Sequence, residues 1–551
     1  MKSFCKSLFM GLILSVMTLL PVGQAFCQSA PKPAVVVSIA NLSEQLDDVE
    51  YLLAQSGFGN MKFMVKTMIK GYTKGLDTSK DAGVMLYFNE GSEVPDFLGF
   101  VPVKDIDDML DIISGMAEVE ESGDDIKIIA DNGEEFTVRE KDGYAFFSNK
   151  AEMFDSMPGS PQEMVGELAT NYNLAARIFG QRIPQAMRDQ LLDVIQNAGE
   201  QTLDTLGDDD IQAELQRKNL AMQLKQMKMV LNEVDSFTVG MQADKESKKL
   251  SMDFEFKGLP NSELAAKMAD SAPKKKSRFT GFLMDDAAFT MNYAASMSDA
   301  DAKELSGMLD GMTDAFLGEI DADGDMSDVE LAVVEKALDS FIDVAQETLK
   351  EGVFDAGAVV MLGEGSLNFA AATQVSNPKK LEATIKDLVE MAKDQAEGIE
   401  INLNSGSHKD ITLHTFVIPV PEEEIRDALG DDITLIIGVG NKAVYIAAGS
   451  NPLETLKAAV DGTNSSEDYM QFNLYVAPIL KFAASMEGDP AIEAMATALA
   501  ESGGDRIRGS YQLIEDGGRV HFEMQDGILG LIKVGFDAFN QSGGVVPSDD
   551  F

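Results

Sequence analysis

The chain carries the same words twice. Asp81-Ala82-Gly83 opens an apolar run that closes at Glu90-Gly91-Ser92, and Asp355-Ala356-Gly357 opens another that closes at Glu364-Gly365-Ser366. An internal repeat constrains a fold more than any single motif, because each copy must bury a core of its own.

The likeness runs on in the same order. Phe97 to Asp105 answers Phe369 to Asn377, and a helical stretch follows each. Gly143-Tyr144-Ala145-Phe146 answers Val444-Tyr445-Ile446-Ala447. Tyr172-Asn173-Leu174 answers Phe472-Asn473-Leu474, and Lys249 to Glu255 answers Arg519 to Gln525. At the start, Val35 to Ile39 answers Phe289 to Tyr293. Alternation such as Leu250, Met252, Phe254, Phe256 marks strands with one buried face. Asp105, Asn377 and Asn451 stand where helix caps belong, the last followed by Pro452. The expected fold is α+β: two tandem copies of a domain with an antiparallel sheet and helices packed on one face.

The copies span residues 34–270 and 279–540. Between them, 271–278 includes Pro273 and the basic run Lys274-Lys275-Lys276, which reads as a solvated linker. Residues 541–551 read as a disordered tail. Two helical stretches, Asp189–Val234 and Ser298–Glu351, have no match in the other copy and read as insertions. Met222, Met227 and Met229 lie along the first at helical spacing and read as core.

Residues 1–27 read as a signal peptide. Lys2 and Lys6 precede an apolar run from Leu8 to Leu20, and Gly23 and Ala25 offer small residues for cleavage. Cleavage after Ala25 and after Cys27 are both open. No other apolar stretch is long enough to span a bilayer. Cys5 and Cys27 are the two cysteines, so the mature chain would hold no disulfide and no thiol chemistry. The expected location is exported, periplasmic or extracellular. A net charge of −47 makes nucleic acid a poor partner, since phosphates need lysine and arginine patches.

One motif points to a cofactor. Asp321, Asp323 and Asp325 alternate as do the first ligands of an EF-hand calcium loop, and Glu330 stands for the final bidentate ligand. Met326 replaces the turn glycine, and the loop is two residues short of the twelve such loops use. An acidic helix–helix turn capped by Ser327 is the plainer reading. Calcium is the one cofactor the sequence suggests.

Enzyme signatures are sparse. A triad or histidine metal site would have to use His408, His414 or His521. Ser376-Asn377-Pro378-Lys379 has the Ser-x-x-Lys spelling without its usual companions, and reads better as a helix cap. Gly438-Val439-Gly440 reads as a hairpin turn, not a nucleotide loop.

The leader, the acidity and the paired Asp-Ala-Gly, Val-Pro-Val-Lys-Asp and Gly-Tyr-Ala-Phe-Phe-Ser segments resemble uncharacterised exported proteins of planctomycete-type bacteria. The resemblance implies no activity, ligand or site residue. The leading functional expectation is an exported non-enzymatic protein that binds an unknown protein partner or an apolar ligand. Two alternatives stay open: a calcium-screened structural protein of the cell envelope, and a hydrolase of unknown substrate.

Overall fold

The computed structural model describes residues 32–531 and 534, apart from 57–61, 90–94, 131–132, 157–159, 205–210, 274–275, 324–327, 364, 393–397, 421–425, 427–429, 489 and 503. The leader expected over 1–27 and the tail expected over 541–551 lie outside the described residues. Two compact units are present, Met1–Ala198 with Leu224–Leu264, and Gly199–Gln223 with Ala265–Phe551.

In the first unit β1 (Val35–Ile39) leads through the helices α1 (Leu42–Gln55) and α2 (Lys62–Tyr72) to β2 (Ala82–Tyr87) and β3 (Asp96–Pro102). Next come α3 (Ile106–Ser114) and the meander β4 (Ala117–Ser122), β5 (Asp125–Ala130), β6 (Glu135–Lys141) and β7 (Tyr144–Ser148). The short helices α4 (Pro161–Val165) and α5 (Leu168–Asn171) precede β8 (Leu174–Phe179). The long pair α6 (Gln185–Asp204) and α7 (Ile211–Glu233), of which Gly199–Gln223 is assigned to the second unit, precedes β9 (Val234–Asp244) and β10 (Lys249–Gly258), and α8 (Glu263–Asp270), assigned to the second unit from Ala265 on, follows. All pairings are antiparallel, in the order β4-β5-β6-β7-β3-β2-β1-β8-β9-β10.

In the second unit β11 (Phe289–Ser296) leads through α9 (Asp299–Asp323) and α10 (Asp328–Lys350) to β12 (Val353–Gly363) and β13 (Ser366–Gln374). α11 (Pro378–Ala392) is followed by β14 (Glu400–His408), β15 (Ile411–Pro419), β16 (Asp432–Val439) and β17 (Ala443–Gly449). α12 (Pro452–Asp461) precedes β18 (Met470–Tyr475), and α13 (Val476–Glu487) with α14 (Pro490–Ser502) precedes β19 (Arg506–Ile514) and β20 (Gly517–Gln525). The antiparallel order is β14-β15-β16-β17-β13-β12-β11-β18-β19-β20, the first unit's order strand for strand.

The stretches read as unmatched insertions are therefore longer forms of a shared connection. α9 and α10 join the first two strands of their unit, as α1 and α2 do. α6 and α7 join the eighth and ninth, as α13 and α14 do. Met222, Met227 and Met229 are half-buried on α7.

Helices cover both faces of each sheet, not one. Neighbouring residues on a strand point to opposite faces. Phe146 packs with Phe154, Val165 and Leu168, whereas Ala145 packs with Met109 and Leu110 of α3. In the second unit Leu413 packs with Leu456 and Ala459 of α12, and His414 faces Glu382 of α11. The α+β class stands. The one-face arrangement does not, because the central strands are apolar on both sides and need two covers.

Local signals set the helix starts unevenly. Asp105 accepts the Asp108 amide at 3.1 Å, and Asn377 accepts the Lys380 amide at 3.3 Å, so both cap as their side chains dictate. Asn451 makes no side-chain cap; its amide instead donates to Asn368 Oδ1 at 2.5 Å, and Pro452 alone starts the helix.

Ladder register separates two kinds of sequence match. Ile39 lies opposite Ala82 and Tyr293 opposite Ala356; Gly83 lies opposite Phe100 and Gly357 opposite Ala372. The matches in the first three strands are thus true positional counterparts. Tyr144 lies opposite Pro102, but Tyr445 lies opposite Ala372, so the matched tyrosines stand one alternation apart. The amide of Ala40 reaches the Asn173 carbonyl, but that of Ala294 reaches Tyr469, not Asn473. Met241 lies opposite Met252, while Tyr511 lies opposite Val520, not Phe522. Each slip is an even number of residues, which keeps every side chain on its face.

Candidate ligand-binding cavity

At one end of the second sheet, β11 finishes, β12 begins, β13 finishes and β17 begins. The connections there are short: only Glu351 and Gly352 lie between α10 and β12. A cavity of about 680 Å³ opens at this end. Its apolar wall is Ala294, Ala295, Val353, Phe354 and Pro273. Its charged groups are Lys276, Arg278, Lys442, Glu351 and Asp355.

The segment read as a solvated linker builds one side of it. Ser277 Oγ donates to Asp355 Oδ1 at 2.5 Å, and the Arg278 amide donates to Asp355 Oδ2 at 2.9 Å. The same Ser277 oxygen accepts from Asn292 Nδ2 at 2.5 Å and from the Phe279 amide at 3.1 Å. Phe279 then enters the core beside Phe282 and Leu456. Asp355 is 4% exposed, and burial raises its carboxyl above the ordinary 3.8, against the pull of Ser277 and Arg278. Burial likewise raises the Tyr445 hydroxyl. Lys442 Nζ bonds Glu351 Oε1 at 2.8 Å and the Ser376 carbonyl at 3.3 Å.

The corresponding end of the first sheet is plugged. There the connection from α2 to β2 is longer and folds over the strand ends. Asp77 donates its amide to the Pro102 carbonyl, Lys104 to Gly75 and Ser43 to Thr78, and Leu76 bridges to Val103. Asp81, which holds the position of Asp355, accepts the Asn41 amide at 2.8 Å.

No known protein family matches the chain, and no curated protein matches it. A solved structure described as "Structure of crystal form IV of TP0453" aligns with 41% of this chain and 77% of that one, at 7% identity and a TM-score of 0.22. A likeness of that degree carries no argument about fold or function.

The sequence-derived candidates lie elsewhere. α9 runs through Asp321 to its end at Asp323 and α10 begins at Asp328, so Asp321, Asp323 and Glu330 fall within helices, not in a loop as the motif suggested. Residues 324–327, with Asp325, lie outside the described residues, and so do the side chains of Asp321, Asp323 and Glu330. Among the described residues no group of three or more His, Cys, Asp or Glu could hold a metal ion.

His408 and His414 each meet a carboxylate. His408 Nε2 meets Asp461 Oδ1 at 3.0 Å near the surface. His414 is fully buried; its Nδ1 accepts the Asn404 amide at 3.1 Å, and its Nε2 stands 3.5 Å from Glu382 Oε1. Burial holds this imidazole below its ordinary 6.5, against the pull of Glu382. His521 lies opposite Ser510 in a strand ladder. Among the described residues no helix is long and apolar enough to cross a membrane.

The cavity is not legible in the sequence because its lining comes from three strands, two connections and the segment ahead of β11. One signal was there: the basic run stands out against the acidic remainder of the chain.

Proposed function

We propose that this chain is an exported, non-enzymatic binding protein made of two tandem copies of one ten-stranded domain, the second of which holds a small ligand. The identical strand order and the three in-register matches support the duplication. The leader with Lys2, Lys6 and the apolar run to Leu20 supports export.

The cavity carries the ligand reading. Its volume of about 680 Å³ falls in the range of small-molecule sites, and it joins an apolar wall to a few polar groups, as such sites do. The His408 and His414 geometry gives the hydrolase reading no support, since the bonds of each run to groups other than a serine hydroxyl.

The test is ligand-dependent stabilisation of the full mature chain across a panel of small amphipathic molecules, repeated on Ala295→Phe, which fills the cavity. At a hundredfold excess over Kd a ligand should add about 2.7 kcal/mol. Stabilisation in the parent that Ala295→Phe abolishes supports the reading; a panel without effect removes it.

A further inference from the structure

Resting on that reading, we infer that the cavity takes a monoanionic carboxylate attached to an apolar body. The chain carries a net charge of −47, yet three cations and two carboxylates line this one cavity. Both carboxylates are already engaged. Glu351 is held by Lys442, and Asp355 is held by Ser277 and the Arg278 amide. Lys276 and Arg278 are exposed, and among the described residues neither side-chain cation has an ion-pair partner. Both present exposed charge at the cavity, and Arg278 also acts on Asp355 through its charge.

The guanidinium presents a planar fork that fits a carboxylate at two points, so Arg278 would fix the head group and Lys276 would add charge. A dianion fits less well, because Asp355 and Glu351 lie in the same cavity. The apolar body has its own platform. Phe354 stays 42% exposed in the wall, and Tyr293 holds its ring edge-on at a centroid distance of 5.3 Å. Ala295, opposite Phe354 in the ladder, leaves the space beside it open because its side chain is short. In the first unit the connection around Leu76 and Asp77 crosses the corresponding strand ends, whereas the second unit has only Glu351 and Gly352 there.

Calorimetry on the full mature chain tests this with three probes: decanoate, decyltrimethylammonium as the cation with the same tail, and inorganic phosphate. Decanoate should bind saturably, and the other two should not. Arg278→Gln, a surface change whose melting curve verifies the fold, should weaken decanoate about tenfold, the loss of one charge-assisted contact. Decyltrimethylammonium binding as tightly as decanoate overturns the anion assignment and leaves the binding reading standing, as does phosphate binding tighter than decanoate. Decanoate affinity unchanged by Arg278→Gln overturns the assignment as well. No saturable binding by any probe overturns both readings.

Discussion

Ser277 and Asp355 are joined by a 2.5 Å hydrogen bond that ties the segment ahead of β11 to the start of β12. The bond sets a buried carboxylate beside the cavity and makes the seam part of the second unit's wall. Asp355 has its acceptors filled by the Ser277 hydroxyl and the Arg278 amide. Asp355→Ala leaves both donors without a partner and should cost about 1–3 kcal/mol, read as a lower denaturation midpoint at unchanged slope. An unaltered midpoint would show that the seam holds without this contact.

The same carboxyl sets a pH dependence. Its folded value is raised above 3.8, chiefly by burial, so between 3.8 and that value the folded chain binds more protons than the unfolded chain. Its contribution to stability is therefore full below 3.8 and is lost as pH rises through the raised value. Asp355→Asn should flatten that fall. Equal pH profiles for parent and variant would remove the assignment.

His414 acts with the opposite sign. Its folded value is depressed below 6.5 by burial, so the unfolded chain binds more protons in the window beneath 6.5. Its contribution is present above 6.5 and is lost as pH falls toward the folded value. Glu382 and Lys386 of α11 are the charged groups acting on it. His414→Gln should reduce the loss of stability between neutral and mildly acid pH, measured by denaturant melts at each pH; an unchanged loss argues against it.

The caps test the shared architecture. Asp105→Ala and Asn377→Ala each remove one bond to a helix amide and should each cost about 1 kcal/mol. Asn451→Ala should cost much less, because its side chain caps nothing. Equal losses at all three positions would contradict these cap assignments.

Gly281 reports on how the turn at Thr280–Phe282 packs on the end of α12. A Cβ there would lie 2.3 Å from the Ala459 carbonyl oxygen, a backbone atom that cannot swing away. Gly281→Ala should cost about 1–3 kcal/mol by overpacking, seen as a lower melting temperature. A variant as stable as the parent would mean that the turn at Thr280–Phe282 and the end of α12 can separate freely.

Much of the fold follows from local pattern. Period-two alternation marks the strands, and Asp105 and Asn377 start their helices because each side chain accepts an amide in its own first turn. The matches in the first three strands are also positional. Beyond them, alternation defines a face but not a place along the ladder. Tyr445 and Phe522 therefore slipped by even steps while keeping their side.

What the sequence by itself determined is which residues alternate, where several helices begin, and that the strands recur in one order. Only the tertiary structure decided that helices cover both sheet faces, because burial of Ala145 beside Phe146 depends on what packs from each side. Only the tertiary structure decided that one sheet end is plugged while the other is open. That difference rests on the length of the connection before β12 and on a seam serine reaching Asp355, contacts between residues far apart in the chain.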